Sequence, residues 1–280
     1  MAVMRYGIST VILNEHELVP ALKRIAAAGF QQVEISAEPP HLTPGQCDPQ
    51  EVAACLNDLG LIARVGHGLY GHGLPNLAAL DEAQRTEAVA YVQTCFDPLV
   101  TIGVEVVVLH PTGYSLDYTE TNRQRVIDQA LRSMEALARV AGKMGLNLAW
   151  ENLPHRNTAR PLHDMVELRT LIEKMPPHVG FCLDTTHALI SGHDPLEQLN
   201  IASDRLFCLH LHDSDGQEDC HWTPGKGIIS WTPFLARLNE ISFTGPRTLE
   251  VMSTPENDDE TLAEAAAVAR KWDLQGTNIT

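Results

Sequence analysis

Leu148-Ala149-Trp150-Glu151 and Val179-Gly180-Phe181-Cys182-Leu183-Asp184 decide how this chain folds. Each is an apolar run that stops on a carboxylate. Short apolar runs of this kind read as buried strands, so each acid stands at a strand's end. The pattern recurs downstream: Leu206 to Leu209 runs into His210, and Thr248-Leu249 runs into Glu250. Four strands ending in Glu, Asp, His and Glu suggest one shared site. Three hard carboxylates and one imidazole suit a divalent metal.

Working outward, apolar runs alternate with amphipathic stretches along the whole chain. Strands are expected at 5–9, 32–36, 62–66, 105–110, 147–151, 180–184, 206–210 and 248–252. Helices are expected at 15–28, 49–59, 80–102, 120–144, 165–175, 194–200, 231–240 and 258–272. Gly29, Gly60, Gly103 and Gly145 each follow a helical stretch, as C-cap glycines do. Eight strand–helix units in about 250 residues are the signature of a closed parallel (β/α)8 TIM barrel. The competing open doubly wound sheet usually carries a Gly-rich phosphate loop after its first strand. Here that strand runs into Ser9-Thr-Val-Ile instead. No Pro/Gly/Ser-rich linker divides the chain, so a single domain over 1–280 is expected, with a core at about 4–273 and a frayed polar tail at 275–280. In such a barrel the C-terminal strand ends form the active face, so the residues closing strands five to eight ring one mouth.

The composition narrows the function classes. Formal net charge is −16, which disfavours nucleic acid and anionic membranes over most of the surface. No apolar stretch is long enough to span a bilayer, and the N-terminus lacks an apolar signal-like core, so a cytoplasmic location is expected. The six cysteines form no CxxC pair and read as reduced thiols. Thirteen histidines are many for 280 residues, but any one of them is more often structural than functional, so position must decide.

Glu151 and Glu250 could bracket a metal and a substrate as an acid–base pair; taken singly, either could instead be a barrel-end ion pair. Asp184-Thr-Thr-His187 places two ligand-type groups three residues apart, or else caps a helix. His210 and His212 fall on one strand face. His210 is preferred as the ligand, with His212 and Asp213 as supporting or loop groups. Asp219 and His221 precede Pro224-Gly-Lys226-Gly, whose amides could meet a phosphate or sugar oxygen, although an ordinary surface loop is the default for that turn. His67 and His110 end strands three and four and complete the ring.

At these residues the chain resembles the xylose-isomerase-like barrel superfamily, the sugar and sugar-phosphate isomerases and epimerases that also include the endonuclease IV enzymes. The resemblance runs from Tyr6 to about Trp272. It rests on Val33-Glu-Ile, Leu109-His-Pro, Trp150-Glu-Asn-Leu-Pro154, Cys182-Leu-Asp-Thr-Thr-His-Ala188, Leu209-His-Leu-His-Asp213, Asp219-x-His221 with Pro224-Gly-Lys-Gly-Ile-Ile-Ser-Trp231, and Leu249-Glu250. It implies that Glu151, Asp184, His210 and Glu250 hold one divalent ion (Mn, Co, Mg or Zn), and that the two Glu move protons in the epimerase branch. It implies a substrate contact for His187 there. In the endonuclease branch it implies up to three zinc ions, one on positions like His67 and His110, another on His187, Asp219 and His221. Two departures stand out. Asn152-Leu-Pro-His replaces a small Gly-containing turn of the endonuclease branch, and Ser230 stands where relatives often carry Asp.

The expected function is therefore a metal-dependent isomerase or epimerase of a sugar, sugar phosphate or hydroxy-ketone. It would work through a metal-stabilised enediolate, with Glu151 and Glu250 as acid/base groups. Glu34, His67 and His110 would contact the polyol, Lys226 a phosphate, and Trp150 and Tyr70 would wall the site or serve as core. The alternatives are an endonuclease IV-like trinuclear zinc phosphodiesterase and an inactive sugar-binding relative. A small-molecule sugar is the expected partner, with no nucleic acid and no membrane, and a homo-oligomer is open.

Overall fold

A computed structural model describes residues 4–68, 76–113, 117–155 and 159–277. Eight parallel strands close into a barrel in sequence order: β1 Tyr6–Ser9, β2 Gln32–Ser36, β3 Ile62–His67, β4 Val106–Leu109, β5 Asn147–Glu151, β6 Val179–Asp184, β7 Leu206–Leu211 and β8 Arg247–Leu249. The ring is completed by β1 pairing with β8, Tyr6 opposite Arg247 and Ile8 opposite Leu249. This is the TIM barrel expected from the strand spacing.

Strand side chains alternate with period two, and here the alternation sorts the barrel into layers. Val65, Val106, Val108, Ala149, Cys182 and Cys208 form a small apolar cluster inside the barrel. Two residues further along the same strands stand His67, His110, Glu151, Asp184 and His210. The polar mouth is thus the next layer above an apolar plug. Out-of-phase residues such as Trp150, Phe181, Leu183 and Leu209 join the much larger core between barrel and helices.

Helix boundaries follow local chemistry. Asp48 caps Pro49–Leu59 by accepting from the Gln50 amide at 2.9 Å, and Gly60 ends it in the left-handed conformation at φ 65°. The single helix expected at 80–102 is two, Glu82–Gln93 and Phe96–Thr101. Pro98 lacks an amide hydrogen and its ring would meet the carbonyl of Thr94, so the helix breaks there. A short helix, Thr185–Ile190, follows β6 directly and was not among the expected helices. The last helix, Asp258–Thr277, outruns its expected end at Trp272. The Arg5 amide and guanidinium bind the Asp273 carboxylate at 3.1–3.2 Å and tie this helix to β1. Among the described residues no helix is long and apolar enough to cross a membrane.

Candidate metal centre

Glu151 lies at the middle of the mouth, 1% exposed. Its Oε2 faces His67 Nε2 and His110 Nε2, each at 3.2 Å. Its Oε1 faces His187 Nδ1 at 3.1 Å and His210 Nδ1 at 3.3 Å. One carboxylate therefore gathers four imidazoles, three from the ends of β3, β4 and β7 and one from the helix after β6. Asp184, fully buried, uses Oδ1 to cap the Thr185–Ile190 helix through the His187 amide at 2.7 Å. Its Oδ2 faces His212 Nε2 at 2.6 Å. Asn152 brackets the same backbone, accepting from the Asp184 amide at 2.8 Å and donating to its carbonyl at 3.1 Å. Glu250 follows β8, and its Oε2 lies 3.4 Å from His210 Nδ1.

The protons on several histidines follow from their neighbours. Nδ1 of His67, His187 and His221 lies 2.8–2.9 Å from the carbonyls of Gly68, Asn152 and Glu250. A carbonyl only accepts, so each Nδ1 carries the hydrogen and Nε2 is left to face the site. His67 Nε2 meets Glu151, while His187 Nε2 and His221 Nε2 meet Asp219 at 3.1 and 3.4 Å. Two acceptors do not sit that close unless a proton or a cation lies between them.

The electrostatics agree. Burial would raise the Glu151 carboxyl, but His210 and His110 outweigh it and hold it well below the usual range. Burial pushes Glu250 up to about 7, with His210 opposing and Glu151 adding. Burial would lower His221, yet Asp219 and Glu250 bring it up to about 9. His110 falls to about 4 because burial outweighs its attraction to Glu151.

The residues fit a metal. Ligand atoms of Glu151, Asp184, His210 and Glu250 lie within 4.8 Å of one another, as do those of His187, His212, Asp219 and His221, and those of His67, Glu151 and His210. His210 Nδ1 is buried with no hydrogen bond, 3.3 and 3.4 Å from carboxylate oxygens of Glu151 and Glu250. Tetrahedral ligands held at about 2.0–2.1 Å from an ion stand roughly 3.3 Å apart, so these separations match a shared cation.

Not every residue expected at the site is there. Glu34 is buried beneath the mouth, its Oε2 accepting from His210 Nε2 at 2.9 Å, so it backs a histidine rather than facing a polyol. Lys226 pairs with Glu264 on the last helix and points away. The amides of its Pro-Gly-Lys-Gly turn are taken internally, Gly225 by Asp213 at 2.8 Å and Lys226 by the Thr223 carbonyl at 3.1 Å. Trp150 is core, because it is out of phase with Glu151. Tyr70 lies outside the described residues. Conversely, His212 is more central than expected. β7 runs on to Leu211, which carries His212 into the mouth, fully buried and stacked on His221 with centroids 4.0 Å apart. The same-face spacing of His210 and His212 was the available signal.

Comparisons with known proteins agree with the barrel fold. A family model described as a xylose isomerase-like TIM barrel matches residues 22–272. A probable endonuclease 4 of Geobacter sulfurreducens is 28% identical over 220 residues, covering 72% of this chain and 70% of that protein. The crystal structure of a D-tagatose 3-epimerase-like protein aligns with a TM-score of 0.84 at 20% identity, over 98% of both chains. D-psicose 3-epimerase with D-tagatose, from Clostridium cellulolyticum H10, aligns at 0.80 and 21% identity, over 96% of this chain and 99% of that one. The barrel, its closure in sequence order and the matched span lead to one assignment: the chain belongs to the xylose isomerase-like TIM barrel family.

Proposed function

We propose that this protein is a divalent-metal-dependent isomerase or epimerase acting on a sugar or hydroxy-ketone. The observation that carries the reading is the approach of two carboxylates to one imidazole nitrogen: Glu151 Oε1 at 3.3 Å and Glu250 Oε2 at 3.4 Å from His210 Nδ1. They come from β5 and the end of β8, three strands apart around the ring. Glu151, Asp184, His210 and Glu250 would hold the ion, which supplies Lewis-acid polarisation of a substrate carbonyl. One of the two Glu removes the proton next to that carbonyl. The other returns a proton from the opposite side, which inverts the carbon; return by the same Glu to the neighbouring carbon isomerises instead. Asn152 and His212 keep Asp184 in place. His187, with Nδ1 held by the Asn152 carbonyl, would reach a substrate oxygen through Nε2 by exchanging its Asp219 partner. The full-length alignment with sugar 3-epimerase structures supports the reading at the level of the fold.

The test is a screen of ketoses and hydroxy-ketones in heavy water with manganese, cobalt, magnesium or zinc. Deuterium should enter one substrate carbon, and Glu250→Gln should slow that exchange by roughly 10²–10⁴-fold. Undiminished exchange in the variant on a verified substrate would remove Glu250 from the acid–base role.

A second reading, a trinuclear zinc phosphodiesterase, is favoured by one observation. His67 and His110 converge on Glu151, and His187, Asp219 and His221 on one another. The relative named probable endonuclease 4 points the same way. Tight zinc loss from both His67→Gln and Asp219→Asn, together with metal-dependent cleavage of duplex DNA, would select this reading over the first.

A further inference from the structure

We propose that His163, Asp164 and His193 form a separate metal site, suited to zinc, that clamps the loop after β5 to the turn after β6. It shares no residue with the mouth cluster and does not depend on the reaction proposed above.

Asp164 ends the loop after β5 and caps the helix Met165–Ile172, its Oδ1 accepting from the Glu167 amide at 2.7 Å. Its Oδ2 is thereby left for other partners. His163 Nε2 approaches it at 3.7 Å and His193 Nε2, from the turn after Thr185–Ile190, at 3.5 Å. These are not charge-assisted hydrogen bonds, which measure about 2.7–2.9 Å. They are close to the roughly 3.3 Å that separates two ligands of a tetrahedral zinc. One ligand atom from each of the three residues lies within 4.8 Å of the others.

Two further observations point to a missing partner. His193 Nε2 is hidden from solvent and makes no hydrogen bond, a rare state for a buried nitrogen. On its other face His163 Nδ1 is likewise hidden from solvent and without a hydrogen bond, with the Glu167 carboxylate Oε2 3.5 Å away. A carboxylate on that side favours the tautomer that leaves Nε2 bare for the metal. Two imidazoles and one carboxylate are a zinc-type donor set with a fourth position left for water or another side chain. His155 packs its ring edge-on to His163, with centroids 5.1 Å apart.

The site would have a mechanical consequence. His155 and His163 both come between Asn152 and the helix Met165–Ile172, whereas His193 follows the helix Thr185–Ile190. The His155 amide already reaches across to Ser191 Oγ at 3.3 Å. A metal at 163, 164 and 193 fastens the same two segments.

The experiment uses the full chain, stripped of metal and titrated with zinc against a chromophoric chelator. Wild type is compared with His163→Gln/His193→Gln, with Asp164→Asn and with Glu151→Gln. Asn remains a good helix cap, so Asp164→Asn keeps the fold while removing the anionic ligand. The double variant should bind one zinc fewer than wild type, and Asp164→Asn should bind that zinc roughly 10-fold more weakly or worse. Glu151→Gln should keep it. A zinc count and affinity unchanged in both the double variant and Asp164→Asn overturns the proposal.

Discussion

His210 on β7 donates from Nε2 to Glu34 Oε2 on β2, across the barrel at 2.9 Å. That bond fixes the imidazole: with Nε2 carrying the hydrogen, Nδ1 is bare and faces Glu151 and Glu250. Thr248 Oγ1 donates to the same Glu34 oxygen at 3.3 Å and steadies it. Glu34→Gln weakens this hold on the tautomer while leaving the barrel intact. Metal affinity should fall about 10–100-fold, as it does when an orienting partner of a ligand is lost. Metal titration checks the affinity and circular dichroism the fold. Wild-type affinity in Glu34→Gln would mean that His210 is oriented without its help.

Metal should also stabilise the fold. Without a cation, Glu151, Asp184 and Glu250 are buried together, each 6% exposed or less. Packing like charges out of water is costly unless a cation is shared. Binding to the folded state alone adds about 2.7 kcal/mol when free metal is 100 times Kd. The melting temperature should therefore rise on adding metal to stripped protein, and Glu151→Gln should abolish most of that rise. A melting curve indifferent to both metal and chelator would count against a mouth metal site.

The strand positions were legible because interior barrel residues repeat with period two, and small apolar residues such as Ala149 and Cys182 lie two before Glu151 and Asp184. That register also put His67, His110, Glu151, Asp184 and His210 in one layer, whereas His187, Asp219 and His221 lie outside the strands and have no such signature. What local pattern could not reveal depends on contacts distant in sequence. Glu34 meets His210 across 176 positions, so its backing role has no local signature. Lys226 reads as a phosphate ligand in isolation, yet it pairs with Glu264, 38 positions on. His212 was undervalued because the end of β7 decides whether it lies in strand or loop, and that end is set by Asp213 pairing with Trp222. The break at Thr94 and Cys95 was readable from Pro98 alone.

Asp213 should be highly sensitive to substitution although it is not among the metal-ligand candidates. It is fully buried, and its two oxygens accept from the Ser214, Gly225 and Ile229 amides and from Trp231 Nε1, at 2.8–3.1 Å. Four donors converge on one carboxylate and fold the Pro224–Trp231 loop against β7. Asp213→Ala leaves buried donors unpaired at about 1–3 kcal/mol each, so a loss of at least about 3 kcal/mol is expected. Gly227→Ala should do comparable harm by another route. An added Cβ would lie 2.1 Å from the Ser214 carbonyl oxygen and 2.4 Å from Asp213 Oδ1. Urea unfolding measures both. A loss under 1 kcal/mol in either variant would show that this loop is held elsewhere.

Asp258 predicts the acid limb of stability. It begins the last helix and is 5% exposed. Ser253 Oγ at 2.5 Å, His16 Nε2 at 2.6 Å and Arg24 Nη1 at 2.9 Å all contact its carboxylate. Burial works to raise this carboxyl, but Ser253, His16 and Arg24 together hold it below its ordinary value. A group whose folded pKa is depressed contributes stability in full above its unfolded value, about 3.9, and loses it as pH falls through the folded one. Asp258→Asn removes the charge that Arg24 and His16 meet. At pH 7 the variant should be less stable by about 1.5–3 kcal/mol, the range for hydrogen bonds to a charged group. That deficit should persist down to about pH 4 and shrink below it, as the wild-type carboxylate takes up its proton. Urea unfolding of both proteins at stepped pH reads the difference. A deficit that stays constant to pH 2 would place its origin in packing rather than in the ionised carboxylate.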